Sequence, residues 1–114
     1  MSIKVKVEIL DDMKILADNL AAKVLKNENV EEVFVEYNGE DGLTSILNNS
    51  PDIIFTDNQM PKKTGIELIE ELKYYTFEQK PKIVLVTGDS DPSIYQKARE
   101  SMKDVYYFES NQEV

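Results

Sequence analysis

Five short apolar runs alternate along the chain with four stretches of helical periodicity, and no linker, repeat or low-complexity segment interrupts them. Lys4 to Leu10, with Val5, Val7, Ile9 and Leu10, reads as a strand stopped by the acid pair Asp11-Asp12. Met13, Leu16, Ala17, Leu20 and Val24 then recur at helical spacing as an inner face. Val33 to Val35 is a second strand, and Glu40 to Leu47 a short helix with Leu43, Ile46 and Leu47 apolar. Pro51 turns the chain into a third strand, Asp52 to Thr56, whose consecutive Ile53, Ile54 and Phe55 predict burial on both faces. Gly65 opens a helix with Ile66, Ile69 and Leu72 inward, and Ile83 to Val86 is a fourth strand ending on Thr87. Asp91-Pro92 reads as an N-cap followed by an N1 proline, with Ile94, Ala98, Ser101 and Met102 as the packed face. Val105 to Phe108 is the fifth strand.

This order predicts one α/β domain over residues 1–114, an open parallel sheet with right-handed crossovers and helices on both faces. Ligands of such sheets collect beyond the carboxyl ends of the strands. Asp11, Asp12, Asp57 and Thr87 all stand at those ends. Three carboxylates meeting there repel by about 3 kcal/mol per pair at ~5 Å and an effective dielectric near 20. A bound cation reverses that cost. The chain has no histidine and no cysteine, which removes soft metal sites, thiolate chemistry and histidine-based catalysis and leaves oxygen ligands. Magnesium, which takes one or two carboxylates together with a phosphate, is the expected ion. Asp57 would then be a nucleophile toward phosphorus, with the Thr87 hydroxyl donating to a phosphoryl oxygen.

The residues around these positions resemble the receiver domain of two-component response regulators, which are CheY-like. The likeness runs through ILDDM at the first strand, NGEDGL at the second helix, PDIIFTDNQMPKKTGIELIEEL around Asp57 and PKIVLVTGDSD around Thr87. The resemblance implies a flavodoxin-like five-stranded fold and a magnesium-dependent phosphorelay. It makes Asp57 the phosphoacceptor, Asp11 and Asp12 the acid pair of the metal site, Gln59 the residue whose backbone carbonyl completes that site, and Thr87 the hydroxyl that follows the phosphoryl group. It also implies a domain that is not an enzyme beyond weak self-phosphorylation from phosphodonors and autodephosphorylation.

Two features depart from the family pattern. Receivers carry a lysine at the end of the fifth strand, where this chain reads VYYFESNQEV. Ungapped counting from Thr87 puts Glu109 in the lysine slot and Tyr106 in the slot of the switch aromatic. A one-residue slip gives Ser110 and Tyr107 and turns every side chain over. The family also has a fifth helix after that strand, and the C-terminal helix is absent from these 114 residues, whether through truncation or not. Part of one sheet face should then be bare, or covered by a partner or by a homodimer. Glu8, an acid within an apolar strand, is a candidate for that face, its orientation left open by the pattern.

Each residue also has a plainer reading. Asp11-Asp12 can cap the first helix, Asp57 can be a solvated turn acid, and Thr87 can be an ordinary β-branched strand residue. Lys62-Lys63 reads as a solvated loop pair. The net charge of −9, from 22 acidic and 13 basic residues, argues against direct nucleic-acid or anionic-membrane binding. With no cysteine nothing calls for an oxidising compartment, so a cytoplasmic location is expected, and the N-terminus lacks the long apolar segment of a signal peptide. The expected partners are a histidine kinase or phosphotransfer protein and a downstream protein. The alternative is a degenerate receiver that binds a partner without phosphorylation; a haloacid-dehalogenase-type hydrolase would want an acid where Gln59 stands.

Overall fold

All five apolar runs become strands. The computed structural model describes residues 3–87, 92–101 and 105–109. The elements are β1 (Val5–Leu10), α1 (Lys14–Leu25), β2 (Val30–Glu36), α2 (Gly39–Asn49), β3 (Ile53–Asp57), α3 (Gly65–Leu72), β4 (Lys82–Thr87), α4 (Pro92–Ser101) and β5 (Val105–Glu109). The strands form one parallel sheet in the order β2-β1-β3-β4-β5. The expected flavodoxin-like α/β architecture is therefore the one adopted. The expected N-cap at Asp91, the packed position at Met102 and the residues beyond Glu109, where a C-terminal helix would follow, lie outside the described residues.

Strand alternation sorts the sheet into two unequal faces. On one, Leu10, Ile54, Ile83 and Leu85 are buried with Ile46 of α2, Leu68, Ile69 and Leu72 of α3, and Ala98 of α4. On the other, Val7 and Ile9 pack with Ala17 and Ala21 of α1, while Ile53 and Phe55 are only partly buried. The run Ile53-Ile54-Phe55 is thus not closed on both sides among the described residues, contrary to the expectation from its composition. The reason is layering: α1 is the one described helix on that side, and it sits over β1 and β2.

Two helix faces also differ from the expectation. Met13 and Leu16 are 59% and 51% exposed, because the stripe of α1 that meets the sheet runs through Ala17, Leu20, Ala21 and Val24. In α3 the buried set is Gly65, Leu68, Ile69 and Leu72. Thr64 and Glu67 close its N-terminus in a reciprocal capping box, a T-x-x-E signal legible in the sequence.

Glu8 points into the α2 side of the sheet, not toward the thinly covered face, and is 0% exposed. Ser45 Oγ donates to Glu8 Oε1 at 2.8 Å, and Asn49 donates to Ser45 Oγ at 3.1 Å. Glu8 Oε2 has no described partner. Burial, offset in part by the Ser45 bond and reinforced by the charge of Glu36, pushes the Glu8 carboxyl up to about 8.

Candidate functional site

The strand order reverses direction between β1 and β3: the crossover through α1 leads outward to β2, and the later strands build away on the other side. A crevice opens at such a reversal, at the carboxyl ends. Asp11 and Asp12 follow β1, and Asp57 is the last residue of β3. Their carboxylates offer oxygen atoms that all lie within 4.8 Å of one another.

The local bonds speak against the capping reading of the acid pair. The N-cap of α1 is Met13, with no side-chain cap bond. Asp11 Oδ1 instead accepts the Met13 backbone N–H at 2.9 Å, an Asx turn that holds its carboxylate at the strand end. Neither acid therefore caps the helix. Burial and the neighbouring Asp12 raise the Asp11 carboxyl above its usual range, against the Met13 bond. Asp57 rises to about 6, first from burial and then from the charge of Asp11, against backbone N–H bonds from Asn58 and Gln59. Its shift thus owes more to desolvation than a reading based on charge repulsion anticipates.

Carboxylate oxygens at this spacing, those of Asp11 and Asp57 partly buried and that of Asp12 exposed, with no nitrogen or sulfur donor in the set, suit a small hard cation such as magnesium. Gln59 lies exposed in the loop after β3, where its N–H reaches Asp57. Thr87 ends β4 one residue beyond Val86, the partner of Asp57 in register. Glu109, and not Ser110, stands level with Thr87 on β5, and Tyr106 level with Val84. Tyr106 is 48% exposed. The side chains of Thr87 and Glu109 lie outside the described residues.

Thr56 and Asn58, to which the sequence reading gave no role, hold the acceptor loop. Thr56, fully buried, donates to the Asp57 carbonyl at 2.9 Å. Asn58 accepts the Gly65 N–H on its carbonyl at 2.8 Å and the Ile66 N–H on Oδ1 at 3.1 Å, tying the loop to the start of α3. Lys63 is not the free solvated residue expected, since it pairs with Glu71 of α3. Gly65 is required by contact: a Cβ there would lie 2.4 Å from the Asp57 carbonyl oxygen and 3.0 Å from Asn58 Cα. Gly65→Ala is expected to cost about 1–3 kcal/mol, because backbone on both sides must move. Denaturant titration checks this, and an unchanged midpoint would contradict the contact.

The chain matches the family model described as the response regulator receiver domain over residues 7–106. It is 29% identical over 94 residues to the transcriptional regulatory protein DesR of Bacillus subtilis, a match covering 82% of this chain and 45% of DesR. An uncharacterized response regulatory protein of Vibrio cholerae is 33% identical over 80 residues, 70% of this chain and 32% of that protein. The chain therefore spans less than half the length of either relative. Among solved structures, the signal receiver domain of the putative response regulator NarL from Mycobacterium tuberculosis superposes with a TM-score of 0.84 at 20% identity, covering 96% of this chain and 87% of that one.

Proposed function

The chain belongs to the response regulator receiver domain family, and from that premise we propose that Asp57 accepts a phosphoryl group from the phosphohistidine of a kinase or phosphotransfer protein, in a magnesium-dependent step. The observation that carries this reading is the convergence of Asp11, Asp12 and Asp57 on one point at the sheet's reversal. The acids that would hold the ion are these three, with the Gln59 carbonyl completing the set by family likeness. Bound there, magnesium supplies positive charge to the phosphoryl oxygens.

Asp57 Oδ forms the new bond to phosphorus while the phosphorus–nitrogen bond of the donor breaks, and the electron pair stays on the imidazole nitrogen. The N–H groups of Asn58 and Gln59 orient the Asp57 carboxylate for that approach. Asn58 and Thr56 fix the loop behind it. The Thr87 hydroxyl is assigned a hydrogen bond to the transferred group. The domain acts as a signalling element and not as a turnover enzyme, in the cytoplasm, and a downstream protein reads it through its surface. Its charge of −9 makes direct nucleic-acid contact by this domain unfavourable.

Incubation with a small-molecule phosphodonor and magnesium should add one phosphoryl group by intact-mass measurement, and unmodified protein would overturn the assignment. A second reading, partner binding independent of phosphorylation, is favoured by one feature: an acid, Glu109, stands level with Thr87 where the family has a lysine. Saturable magnesium binding that is lost on Asp57→Ala separates the two, since the second reading needs no working cation site.

A further inference from the structure

Lys14 is the first residue of α1, and its charge is awkward there. The first turn of the helix holds no acid, so nothing in that turn offsets the lysine against the positive end of the macrodipole. The Cα–Cβ bond of a helical residue also tilts toward the N-terminus, which here is the turn carrying Asp11 and Asp12. A lysine stem is long and flexible, and three carboxylates within 4.8 Å of one another lie at that end. Left to itself, the ammonium would settle on the acids.

The structure holds it elsewhere. Lys14 Nζ donates to Asp18 Oδ2 at 3.1 Å and to the Tyr37 hydroxyl at 3.1 Å, and lies 4.8 Å from the centre of the Tyr37 ring. The Tyr37 hydroxyl donates in turn to Asp18 Oδ1 at 2.8 Å, which closes the three groups into a ring. An exposed helical pair with the lysine four residues ahead of the acid is the weaker order and contributes little alone. Tyr37 makes the arrangement specific. It follows β2, its ring packs against the cluster that includes Ile9 and Ala17, and Asn38 beside it caps α2. One residue earlier, the Glu36 carbonyl accepts the Asp11 N–H at 3.2 Å, so the end of β2 grips both the acid-bearing turn and the lysine that follows it.

We propose that Tyr37 is a positioning residue of the cation site: with Asp18 it holds the Lys14 ammonium off the carboxylates of Asp11, Asp12 and Asp57 and keeps them open to a divalent ion. The proposal rests on the reading of these acids as a magnesium site. An ammonium settled on the acids would compete for the same oxygens and repel the ion, a cost that is absent while Lys14 stays on Tyr37.

The test is magnesium titration of the 114-residue chain, followed by the amide signals of Asn58 and Gln59, in a cycle of variants of Lys14 and Tyr37. Tyr37→Phe keeps the packed ring and removes the hydroxyl; it should bind magnesium at least about fivefold more weakly than the parent. Lys14→Gln should recover that loss in the Tyr37→Phe background, yet change the parent by less than about twofold. The same cycle with Asp18→Asn, at an exposed position, tests the proposal again should Tyr37→Phe fail to fold. An unchanged affinity in Tyr37→Phe would overturn the proposal. So would a loss that Lys14→Gln does not recover, which would mark Tyr37 as only a structural tie between β2 and α1. A parent chain without saturable binding would instead overturn the magnesium reading, and this proposal with it.

Discussion

An Asp57→Asn variant is expected to take up no phosphoryl group and yet to unfold at a higher temperature than the parent in metal-free buffer. Both effects come from the same carboxylate. In the parent, burial and the charge of Asp11 raise the Asp57 carboxyl to about 6, so its ionisation favours the unfolded chain once the pH passes its ordinary range near 4. An amide keeps the shape and removes the charge from a set of three carboxylates within 4.8 Å. With allowance for solvent at a partly exposed site, the gain is about 1–2 kcal/mol near neutral pH, or several degrees in Tm. Magnesium should then raise the Tm of the parent by mass action and leave the variant nearly unmoved. Thermal melts with and without magnesium, paired with intact-mass measurement, check both halves. Coincident metal-free melts would show that the acids do not strain the fold.

Glu8→Gln should act at a distance from that site and through pH. The folded-state pKa of Glu8 is about 8 against an ordinary value of 4.5, so the folded chain holds a proton that the unfolded chain has released. The associated stability is fully present below the unfolded pKa, declines as the pH rises, and is gone above about 8. The parent is therefore expected to lose a few kcal/mol of stability between about pH 5 and pH 8.5. Glu36, Asp11 and Asp57 are also raised and add to the same slope, so the difference between parent and variant isolates Glu8. The amide cannot ionise and can still accept from Ser45, which makes the variant about 2 kcal/mol more stable near pH 8 and its curve flatter. Urea titrations across the range in metal-free buffer measure this; parallel curves for the two proteins would rule out a buried, neutral Glu8.

Much of the fold was legible because each strand is a short apolar run and each inner helix face a 3.6-residue pattern. The boundaries shifted by a residue or more: β2 runs from Val30 to Glu36 although only Val33 to Val35 is strongly apolar. Its pairing with β1 extends it, a stabilisation that no local pattern carries. The acid cluster was legible for a different reason. In a parallel sheet every strand delivers its carboxyl end to the same edge, so acids that follow apolar runs must gather there.

The loop that holds Asp57 was not legible to the same degree. Asn58 and Gly65 are separated by a whole loop, and their bond at 2.8 Å exists only because α3 returns to the strand end. Lys63 reads as one of two equivalent loop lysines until Glu71, well inside α3, is brought beside it.

By itself, then, the sequence determined the alternation of strands and helices, the parallel sheet and the edge where Asp11, Asp12 and Asp57 meet. Tertiary structure alone decided which way Glu8 faces, that Met13 and Leu16 stay exposed, and that Glu109 rather than Ser110 stands level with Thr87. The physical difference is one of range. Periodicity and strand ends are properties of neighbouring residues, whereas register, burial and the pKa values they set depend on groups that only the packed sheet brings together.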